Sequence, residues 1–427
     1  MIQLLRFVYT YIVLPVVYAA LWISRLFFPK AVERFRGEHQ TLQWLRDFRR
    51  SRQTPLLWFH ASSMGEFEQA KPVIEAVKRD HPDWQIVATF FSPSGYRHQS
   101  KYELLDAALY LPFDFPKRVE LFVQQLQPDI AVFVRYDLWP NIVAALRSAS
   151  VPIVVICATL NPKALAWKAF FYPLTRWMYA QCQLILAAGE DQERLFRRFV
   201  PEATVETAGD PRFDRVAQAV RQAEQQQLLP DGLLAPADLT LILGSSWEEE
   251  EHLLAEMLEE HPELRERLTV LIVPHEPDAE HIVSLQATFA DAFCYTKLEQ
   301  WTGLPVRILI VDVVGKLVYL YRYADCAFIG GGFGKGVHSV VEAAGYGLPM
   351  AAGPKIDVSR DAVNLAQLGA LRVIRKPEDL YQWIQQMLDV QHREEQRRIV
   401  QQYFQQHQGA TATIVERLYK LLPETVQ

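Results

Sequence analysis

Cysteine is scarce in this chain, and its four cysteines are not spaced for a shared structural role. Cys157, Cys182, Cys294 and Cys326 lie far apart in the 427 residues, and no C-x-x-C pair occurs. This spacing disfavours a disulfide scaffold and a structural zinc site, and it fits a reducing compartment best. We therefore expect no bound metal.

The chain also lacks a strong excess of one charge, an internal repeat and a low-complexity tract. Lys and Arg total 44 against 50 Asp and Glu, a net charge of −6, which argues against a nucleic-acid-coating protein. Half of the residues are apolar and 22% are charged, which excludes a disordered or collagen-like chain. The length predicts two or three domains, each large enough to bury a core.

One long apolar run is present, and it stands at the N-terminus. Residues 7–23 read FVYTYIVLPVVYAALWI, 17 residues without a charge, at the lower limit for a membrane-spanning helix. Four basic residues follow between positions 25 and 36. They disfavour a cleaved signal peptide and predict a cytoplasmic location for the rest of the chain. Residues 1–36 are thus predicted to anchor the protein, by spanning the membrane or by lying in its interface. A buried helix of the first domain is the alternative.

From position 37 onward, short apolar runs alternate with amphipathic stretches, the pattern of parallel sheets with crossover helices. One series occupies residues 37–215 and a second series occupies 239–427. The linker between them, 216–238, is predicted to consist of a helical, Gln-rich segment, Val216–Leu229, and a turn at Pro230–Gly232. The last helix, Ile414–Leu422, could pack back on the first domain. The predicted strands are Leu56–His60, Gln85–Phe90, Ala108–Leu111, Ile130–Val134, Ile153–Cys157 and Leu184–Ala188, then Leu239–Leu243, Thr269–Val273, Arg307–Val311, Cys326–Ile329 and Met350–Ala352. This organisation predicts an α/β fold with two Rossmann-like domains that face one cleft.

Two segments of the first series carry candidate site residues. The segment His60-Ala-Ser-Ser-Met-Gly-Glu66 leaves a strand and enters a helix, so Glu66 could lie at the sheet edge as a carboxylate that accepts a proton. The pattern Ser63-x-x-Glu66 is also a capping box, and spacing alone favours that interpretation. Arg135 and Asp137 follow another apolar strand, where they could face a ligand or form a structural ion pair.

The second series carries a glycine-rich loop, Gly330–Gly336, between a strand and a helix. The loop matches neither G-x-G-x-x-G nor the P-loop pattern, which disfavours a dinucleotide or ATP site of either kind. Its backbone N–H groups and Lys335 could still approach an anion. Ser339 and Glu342, which follow, could instead form a capping box.

Two further segments follow strands of the second series. Gly244-Ser-Ser-Trp247 offers small residues at a helix start, which suits a phosphate. The acidic run Glu248–Glu251 after it is expected to be a solvated first turn rather than a metal site. Pro274-His275-Glu276-Pro277 contains no H-E-x-x-H pattern, so a metal site is disfavoured there too.

Taken together, these segments resemble the 3-deoxy-D-manno-octulosonic acid (Kdo) transferase family. The resemblance covers nearly the whole chain and rests on the order and spacing of several motifs. They are the apolar N-terminus, HASSMGE, FSPSG, LPFD (Leu111–Asp114), LWPN, GDPRFD (Gly209–Asp214), GSSWEEEE, VPHEP and GGGFGKGVHSVVEAAGYGLP. The resemblance implies a GT-B glycosyltransferase fold and an inverting, metal-independent transfer of Kdo from CMP-Kdo to a lipid A precursor in lipopolysaccharide core biosynthesis.

The resemblance also implies roles for individual residues. Glu66 matches the general base of the family, and Arg212 stands where the family has a basic residue that stabilises the transition state. The residues that match CMP-holding segments are Pro274, His275, Gly315, Lys316, Leu317, Ser339, Val340, Val341 and Glu342. Among these, Glu342 would bind the ribose hydroxyls.

The chain departs from the family pattern at two positions. The usual Glu-x-Glu-Leu-Trp-Pro reads Arg135-Tyr-Asp137-Leu-Trp-Pro, so Arg135 replaces a carboxylate credited with assisting the transition state. The usual Pro-Arg reads Pro274-His275, so a phosphate-binding guanidinium is missing. The roles of Arg135 and His275 are therefore open.

The resemblance implies CMP-Kdo as donor substrate, no separate cofactor, and a location at the cytoplasmic face of the bacterial inner membrane, where a lipid acceptor lies. The nearest alternative is another sugar-nucleotide enzyme of the same fold, a UDP-hexose transferase or a UDP-N-acetylglucosamine 2-epimerase. The alternative that is not an enzyme is a membrane-anchored scaffold that only binds nucleotides.

Overall fold

The computed structural model describes residues 1–48, 50, 54–160 and 171–422. The chain divides into two compact units. Unit 1 comprises residues 1–214 together with 409–427, and unit 2 comprises residues 215–408. Each unit contains one sheet of seven strands.

The sheet of unit 1 is parallel throughout and has the strand order β3-β2-β1-β4-β5-β6-β7. The central strands β1 and β4 are fully buried, because helices cover both faces of a parallel sheet. The strands are β1 (Leu56–His60), β2 (Gln85–Phe90), β3 (Ala107–Tyr110), β4 (Ile130–Val134), β5 (Ile153–Ala158), β6 (Leu184–Ala187) and β7 (Val205–Thr207).

The helices of unit 1 alternate with these strands after an N-terminal helical segment. They are α1 (Ile2–Val8), α2 (Leu14–Ser24), α3 (Pro29–Asp47), α4 (Met64–Asp80), α5 (Pro93–Gln99), α6 (Pro116–Leu126), α7 (Pro140–Ser148), α8 (Tyr172–Ala180), α9 (Glu190–Phe199) and α10 (Arg212–Ala223). The division between the units falls within the first turn of α10.

The N-terminal segment is one helical rod of 23 residues, Ile2–Ser24, long and apolar enough to cross a membrane. A π-helical turn joins α1 and α2, directly before Pro15, which has no N–H to donate. One side of this helical segment packs against the rest of unit 1. Arg6 Nε donates to Asn141 Oδ1 at 2.9 Å, and Asn141 Nδ2 donates to Thr10 Oγ1 at 3.0 Å.

The sheet of unit 2 is also parallel, in the order β10-β11-β9-β8-β12-β13-β14. Its strands are β8 (Leu239–Ser246), β9 (Leu268–Pro274), β10 (Phe293–Cys294), β11 (Ile308–Ile310), β12 (Cys326–Ile329), β13 (Met350–Ala352) and β14 (Leu371–Val373). Its helices are α11 (Glu248–Glu260), α12 (Leu264–Arg267), α13 (Ala279–Thr288), α14 (Leu317–Leu320), α15 (Val341–Gly345), α16 (Arg360–Gln367), α17 (Pro377–Leu388) and α18 (Val390–Gln406). Two 3₁₀ turns, Tyr295–Gln300 and Tyr321–Tyr323, complete the unit.

The last helix, α19 (Ala410–Tyr419), belongs to unit 1. Its apolar face joins the core under α4 through Ile414, Val415 and Leu418. The side chain of Asp214 accepts hydrogen bonds from the backbone N–H groups of Gly409 and Thr411, which holds the start of the helix in place.

The fold class predicted from the sequence is confirmed as α/β with two parallel sheets. Three short strands, β7, β10 and β14, were not predicted. They lie at or next to sheet edges, and β7 and β14 each bury only one residue fully, so they lack the apolar runs by which buried strands are found.

The segment predicted as a helical linker is helical as far as Ala223, and its Val216, Ala217 and Ala223 are buried. One predicted boundary differs from that of the structure. The predicted anchor ends at position 36, but Arg34 and Gly37 of α3 are buried against unit 1. Helix α3 is therefore part of the α/β unit.

Candidate active site

Glu66 lies in the first turn of α4, directly after the carboxyl end of β1. Its Oε2 accepts hydrogen bonds from the backbone N–H groups of Ser62 and Ser63 at 2.6 and 3.1 Å, and Ser63 Oγ accepts from Glu66 N. The capping box expected from the spacing is therefore formed. The other oxygen, Oε1, accepts no hydrogen bond from the described residues and is not sealed from solvent. The carboxylate can thus cap the helix with one oxygen and meet a ligand with the other.

The surroundings of Glu66 favour its protonated form. The residue is 4% exposed. Burial, and then the negative charge of Asp137, raise the pKa of Glu66 above its usual value, while the N–H groups of Ser62 and Ser63 oppose that shift. A carboxylate with a raised pKa is a better proton acceptor than an exposed one.

Asp137, one of the candidates, is paired with a residue that the sequence reading did not single out. His60, the last residue of β1, places Nε2 2.9 Å from Asp137 Oδ2, and its Nδ1 lies 2.8 Å from Thr89 Oγ1. Burial opposes ionisation of Asp137, but the hydrogen bond and charge of His60 outweigh it and lower the pKa of Asp137. The sequence signals for His60 were its position at the end of a strand and at the start of the HASSMGE motif.

Arg135 and Asp137 form no ion pair in the described part of the chain, so of the two alternatives left open for them the structural pair is not observed. The guanidinium of Arg135 lies 5.3 Å from the ring centre of Tyr136. Its Nε is sealed from solvent without a hydrogen-bond partner in the described ranges. Asp137 is instead held by His60.

Arg212 is bound by Asp210, the second residue of GDPRFD. Its Nε and Nη2 donate to Asp210 Oδ2 at 3.0 and 2.7 Å. Gln69, on α4 one turn after Glu66, donates to the same oxygen at 2.7 Å. The structure therefore links the helix of Glu66 to Arg212 through one carboxylate.

Three residues other than glycine have a left-handed backbone directly at the carboxyl ends of strands. Arg135 (φ 68°) follows β4, while Cys157 (φ 52°) and Ser245 (φ 54°) are the second-to-last residues of β5 and β8. Residues in this region of backbone space carry strain and cluster at functional sites. The strain marks the same sheet edges that carry the candidate residues.

In unit 2, the glycine-rich loop packs backbone against backbone at the end of β12. A Cβ on Gly330 would lie 2.1 Å from the carbonyl oxygen of Ser245, and one on Gly332 would lie 2.5 Å from the backbone N of Gly353. No side chain fits at either position. The glycines thus bring the ends of β8, β12 and β13 together.

A stack of three rings lies beside this loop. Trp247 Nε1 donates to His338 Nε2 at 2.9 Å, and the ring of His338 stacks on that of His275 with centroids 4.1 Å apart. Because His338 Nε2 accepts, its proton lies on Nδ1, which has no partner among the residues the structure describes. Burial, and then the charge of His275, lower the pKa of His338 to about 4. The stack presents a neutral N–H donor and the exposed imidazole of His275, where the family has a guanidinium.

The other predicted nucleotide contacts end β9 or follow β11 and β12 in the chain. Leu317 would be 3.3 Å from a Cβ on Gly244, at the end of β8. Glu342 acts electrostatically on Tyr321, which follows α14. Gly315 has a left-handed backbone and Lys316 precedes α14. Pro274 ends β9 and is buried.

The expected capping box of Ser339 and Glu342 is not formed. Val340 is the N-cap residue of α15, and it makes no side-chain cap. Ser339 is exposed and Glu342 partly buried, so both can meet a ligand. Val340 and Val341 are each 1% exposed, so their side chains pack in the core and only their backbone could contact a ligand.

The acidic run Glu248–Glu251 was expected to be a solvated first turn, but this is only partly correct. Glu250 accepts from the backbone N–H of Trp247, and Glu251 accepts from Ser246 Oγ and pairs with His281. Glu250 is 1% exposed and burial raises its pKa to about 7. These carboxylates fix the loop that carries Trp247.

Comparison with solved structures identifies the class of this fold. The UDP-GlcNAc 2-epimerase of Neisseria meningitidis matches with a TM-score of 0.57 at 15% identity, over 86% of this chain and 100% of that chain. MurG of Acinetobacter baumannii matches with a TM-score of 0.54 at 16% identity, over 86% and 99%. The chain has the GT-B fold that these sugar-nucleotide proteins share.

Sequence comparison identifies the relatives within this class. Residues 33–215 match the family model of 3-deoxy-D-manno-octulosonic-acid transferase (kdotransferase). The protein of that name from Bordetella pertussis is 26% identical over 385 residues, 85% of this chain and 86% of its own. The one from Chlamydia muridarum is 25% identical over 343 residues, 78% of each. The chain is therefore a glycosyltransferase related to the Kdo transferases, as its motifs indicated.

Proposed function

We propose that this protein transfers Kdo from CMP-Kdo to a lipid A precursor, with inversion and without a metal. The observation that carries the proposal is the carboxyl group of Glu66. It lies within the segment that matches the family model, it has a raised pKa, and it keeps one oxygen free of hydrogen bonds to described residues.

In this mechanism a hydroxyl oxygen of the acceptor attacks the anomeric carbon of Kdo. The bond from that carbon to the phosphate oxygen of CMP breaks, and its electron pair leaves with CMP. Glu66 takes the proton of the attacking hydroxyl. General-base assistance of this kind contributes typically about 10²–10⁴-fold to a rate.

Departure of CMP creates positive charge on the sugar and negative charge on the phosphate. Backbone N–H groups of the loop Gly330–Gly336 and the Nδ1–H of His338 are donors suited to that negative charge. The guanidinium of Arg212, held by Asp210, is a group that binds a carboxylate or phosphate oxygen well.

We further propose that the protein works at the cytoplasmic face of the inner membrane, with Ile2–Ser24 lying in the interface. Two facts support the interfacial position: Arg6 and Thr10 are hydrogen-bonded to Asn141 of α7, and the opposite side of the rod exposes Phe7, Tyr11 and Val16. A helix that stays docked in this way cannot also cross the bilayer.

The reaction is tested by incubating the protein with CMP-Kdo and a tetraacylated lipid A precursor and measuring the product mass. One mass increment per transferred sugar is expected, and it also counts the transfers. CMP should inhibit and UDP should not. Turnover of a UDP-sugar, or inhibition by UDP alone, would replace the proposal by another sugar-nucleotide activity of the same fold.

The position of the helix is tested by labelling a single introduced cysteine, since all four native cysteines are buried. Gln3→Cys should react with a membrane-impermeant maleimide only from the cytoplasmic side, as should the control Gln40→Cys in α3. Reaction of Gln3→Cys from the opposite side would show that the helix spans the membrane.

A further inference from the structure

A pocket of about 470 Å³ lies between α2 and α3 in unit 1, away from the residues of the candidate active site. The residues that line it and carry its chemistry are Trp22, Arg25, Val32, Phe35, Arg36 and Arg118. The pocket thus combines aromatic and aliphatic walls with three guanidinium groups.

The guanidinium of Arg25 lies against two aromatic rings of this pocket. Its carbon lies 4.6 Å from the ring centre of Trp22 and 5.3 Å from that of Phe35. Its Nε is sealed from solvent and has no hydrogen-bond partner among the described residues. The terminal nitrogens of a guanidinium placed against rings can bind a phosphate in a planar, bidentate manner.

The positive charge of the pocket is only partly compensated. Glu38 is its one carboxylate, and both oxygens of Glu38 accept hydrogen bonds from Arg118 at 2.9 Å. One of them also accepts from the backbone N–H of Phe113. Arg25 and Arg36 have no acidic partner within the described ranges. The pocket therefore carries two unmatched positive charges, to which an anion is complementary.

The turn beside the pocket exposes apolar side chains continuously. Leu26, Phe27 and Phe28 are 77%, 73% and 62% exposed, and Trp22 and Val32 at the pocket wall are 49% and 39% exposed. A contiguous patch of this kind marks a surface that meets an apolar phase. Because the patch lies beside the pocket, the anion that fits the pocket best is one that carries acyl chains.

We propose that this pocket binds the phosphate headgroup of an anionic phospholipid of the bilayer. Arg25 and Arg36 hold the phosphate, and the acyl chains leave over the exposed residues 26–28. The site would fix the depth and orientation of unit 1 on the membrane. It is independent of the sugar transfer proposed above, because none of its residues belongs to the candidate active site.

The test uses the purified full chain and short-chain, water-soluble phosphatidylglycerol, with short-chain phosphatidylcholine as the neutral counterpart. Titration calorimetry should detect binding of the anionic lipid only. Arg36→Gln, which removes a charge-assisted hydrogen bond, should weaken binding about tenfold. Arg25→Lys keeps the positive charge, but an ammonium cannot bind a phosphate through two parallel N–H groups as a guanidinium does. A loss of lipid affinity of similar size is therefore expected.

Lys30→Gln is the matched control, since Lys30 is an exposed cation of the same region that does not line the pocket. This variant should bind the soluble lipid as the original chain does. Equal weakening by Lys30→Gln, or unchanged binding by Arg25→Lys, would show diffuse attraction by positive charge and would overturn the proposal.

Two further experiments distinguish a lipid phosphate from a free phosphate ion as the ligand. Inorganic phosphate that binds as tightly as the short-chain lipid would show a site for a free anion and contradict a lipid site. With vesicles, the protein should partition more strongly onto phosphatidylcholine mixed with phosphatidylglycerol than onto phosphatidylcholine alone. Arg25→Lys should lose that preference, and its circular dichroism should match that of the unsubstituted protein.

Discussion

Nε2 of His60 lies 2.9 Å from Oδ2 of Asp137, and this contact joins the carboxyl ends of two neighbouring strands, β1 and β4. It places an ionised carboxylate close enough to Glu66 to raise the pKa of that group. Two carboxylates whose surroundings shift their pKa values in opposite directions are typical of acid–base sites. Asp137 has the lowered pKa and Glu66 the raised one.

Replacing Asp137 by Asn should shift the pH dependence of transfer. The negative charge of Asp137 disfavours ionised Glu66, so its removal lowers the pKa of Glu66. Because a general base acts in its deprotonated form, the acid limb of the kcat/KM profile should move to lower pH. Asp83→Asn, at an exposed carboxylate, should leave the limb in place. If the acid limb of the kcat/KM profile does not move in Asp137→Asn, then Asp137 does not influence the ionisation of Glu66.

Replacing Glu66 by Gln should abolish most of the transfer while CMP-Kdo still binds. An amide cannot take the proton of the acceptor hydroxyl, so kcat should fall about 10²–10⁴-fold. Single-turnover rates and a separate measurement of donor affinity check this. Ser63→Ala tests the capping role instead, and it should cost about 1 kcal/mol of stability with a far smaller effect on rate. Near-normal turnover by Glu66→Gln would remove Glu66 from the mechanism.

Replacing His275 by Arg should tighten the binding of CMP. A guanidinium stays charged and can donate two parallel N–H groups to a phosphate, whereas an imidazole offers at most one N–H to the same ligand. Titration calorimetry with CMP measures the change. His275→Gln should bind CMP no more tightly than the original chain. Unchanged CMP affinity in His275→Arg would show that this position does not contact the phosphate.

Replacing Gly37 by Ala should destabilise unit 1. A Cβ at this position would lie 2.1 Å from Cδ2 of Tyr110, and that ring is stacked on Tyr96 with its hydroxyl bonded to Glu33. Overpacking of this kind costs about 1–3 kcal/mol, measured as a lower urea midpoint. Gly65→Ala, with no atom within 4 Å of the added Cβ, is the control and should not lower the midpoint. Equal urea midpoints for Gly37→Ala and the unsubstituted protein would mean that α3 does not pack closely on β3.

The sequence predicted the strands with continuous apolar runs most accurately. β1, β2, β4, β12 and β13 begin and end at the predicted residues, because strands buried on both faces need apolar side chains at nearly every position. Edge strands such as β14 escaped prediction, since only one of its three residues is buried.

The candidate active site was predicted less completely. Glu66 and Arg212 were found because their motifs resemble those of a family, and both lie at the expected edge of the sheet. His60, Gln69 and Asp210 contact these residues or their neighbours, but none of the three was predicted as a site residue, although His60 and Asp210 lie within the motifs HASSMGE and GDPRFD. Each is a single polar residue whose partner is at least 77 positions away in the chain, except for the local contact from Asp210 to Arg212.

The sequence by itself determined the period of the strands and helices, the glycines that no side chain could replace, and the apolar N-terminal run. These properties depend on residues near one another in the chain. Only the tertiary structure decided that Asp137 pairs with His60 rather than with Arg135, that His275 lies between Trp247 and His338, and that Asn141 holds the N-terminal helix. Such contacts join residues distant in sequence, and they exist only after the strands have taken their order in the sheet.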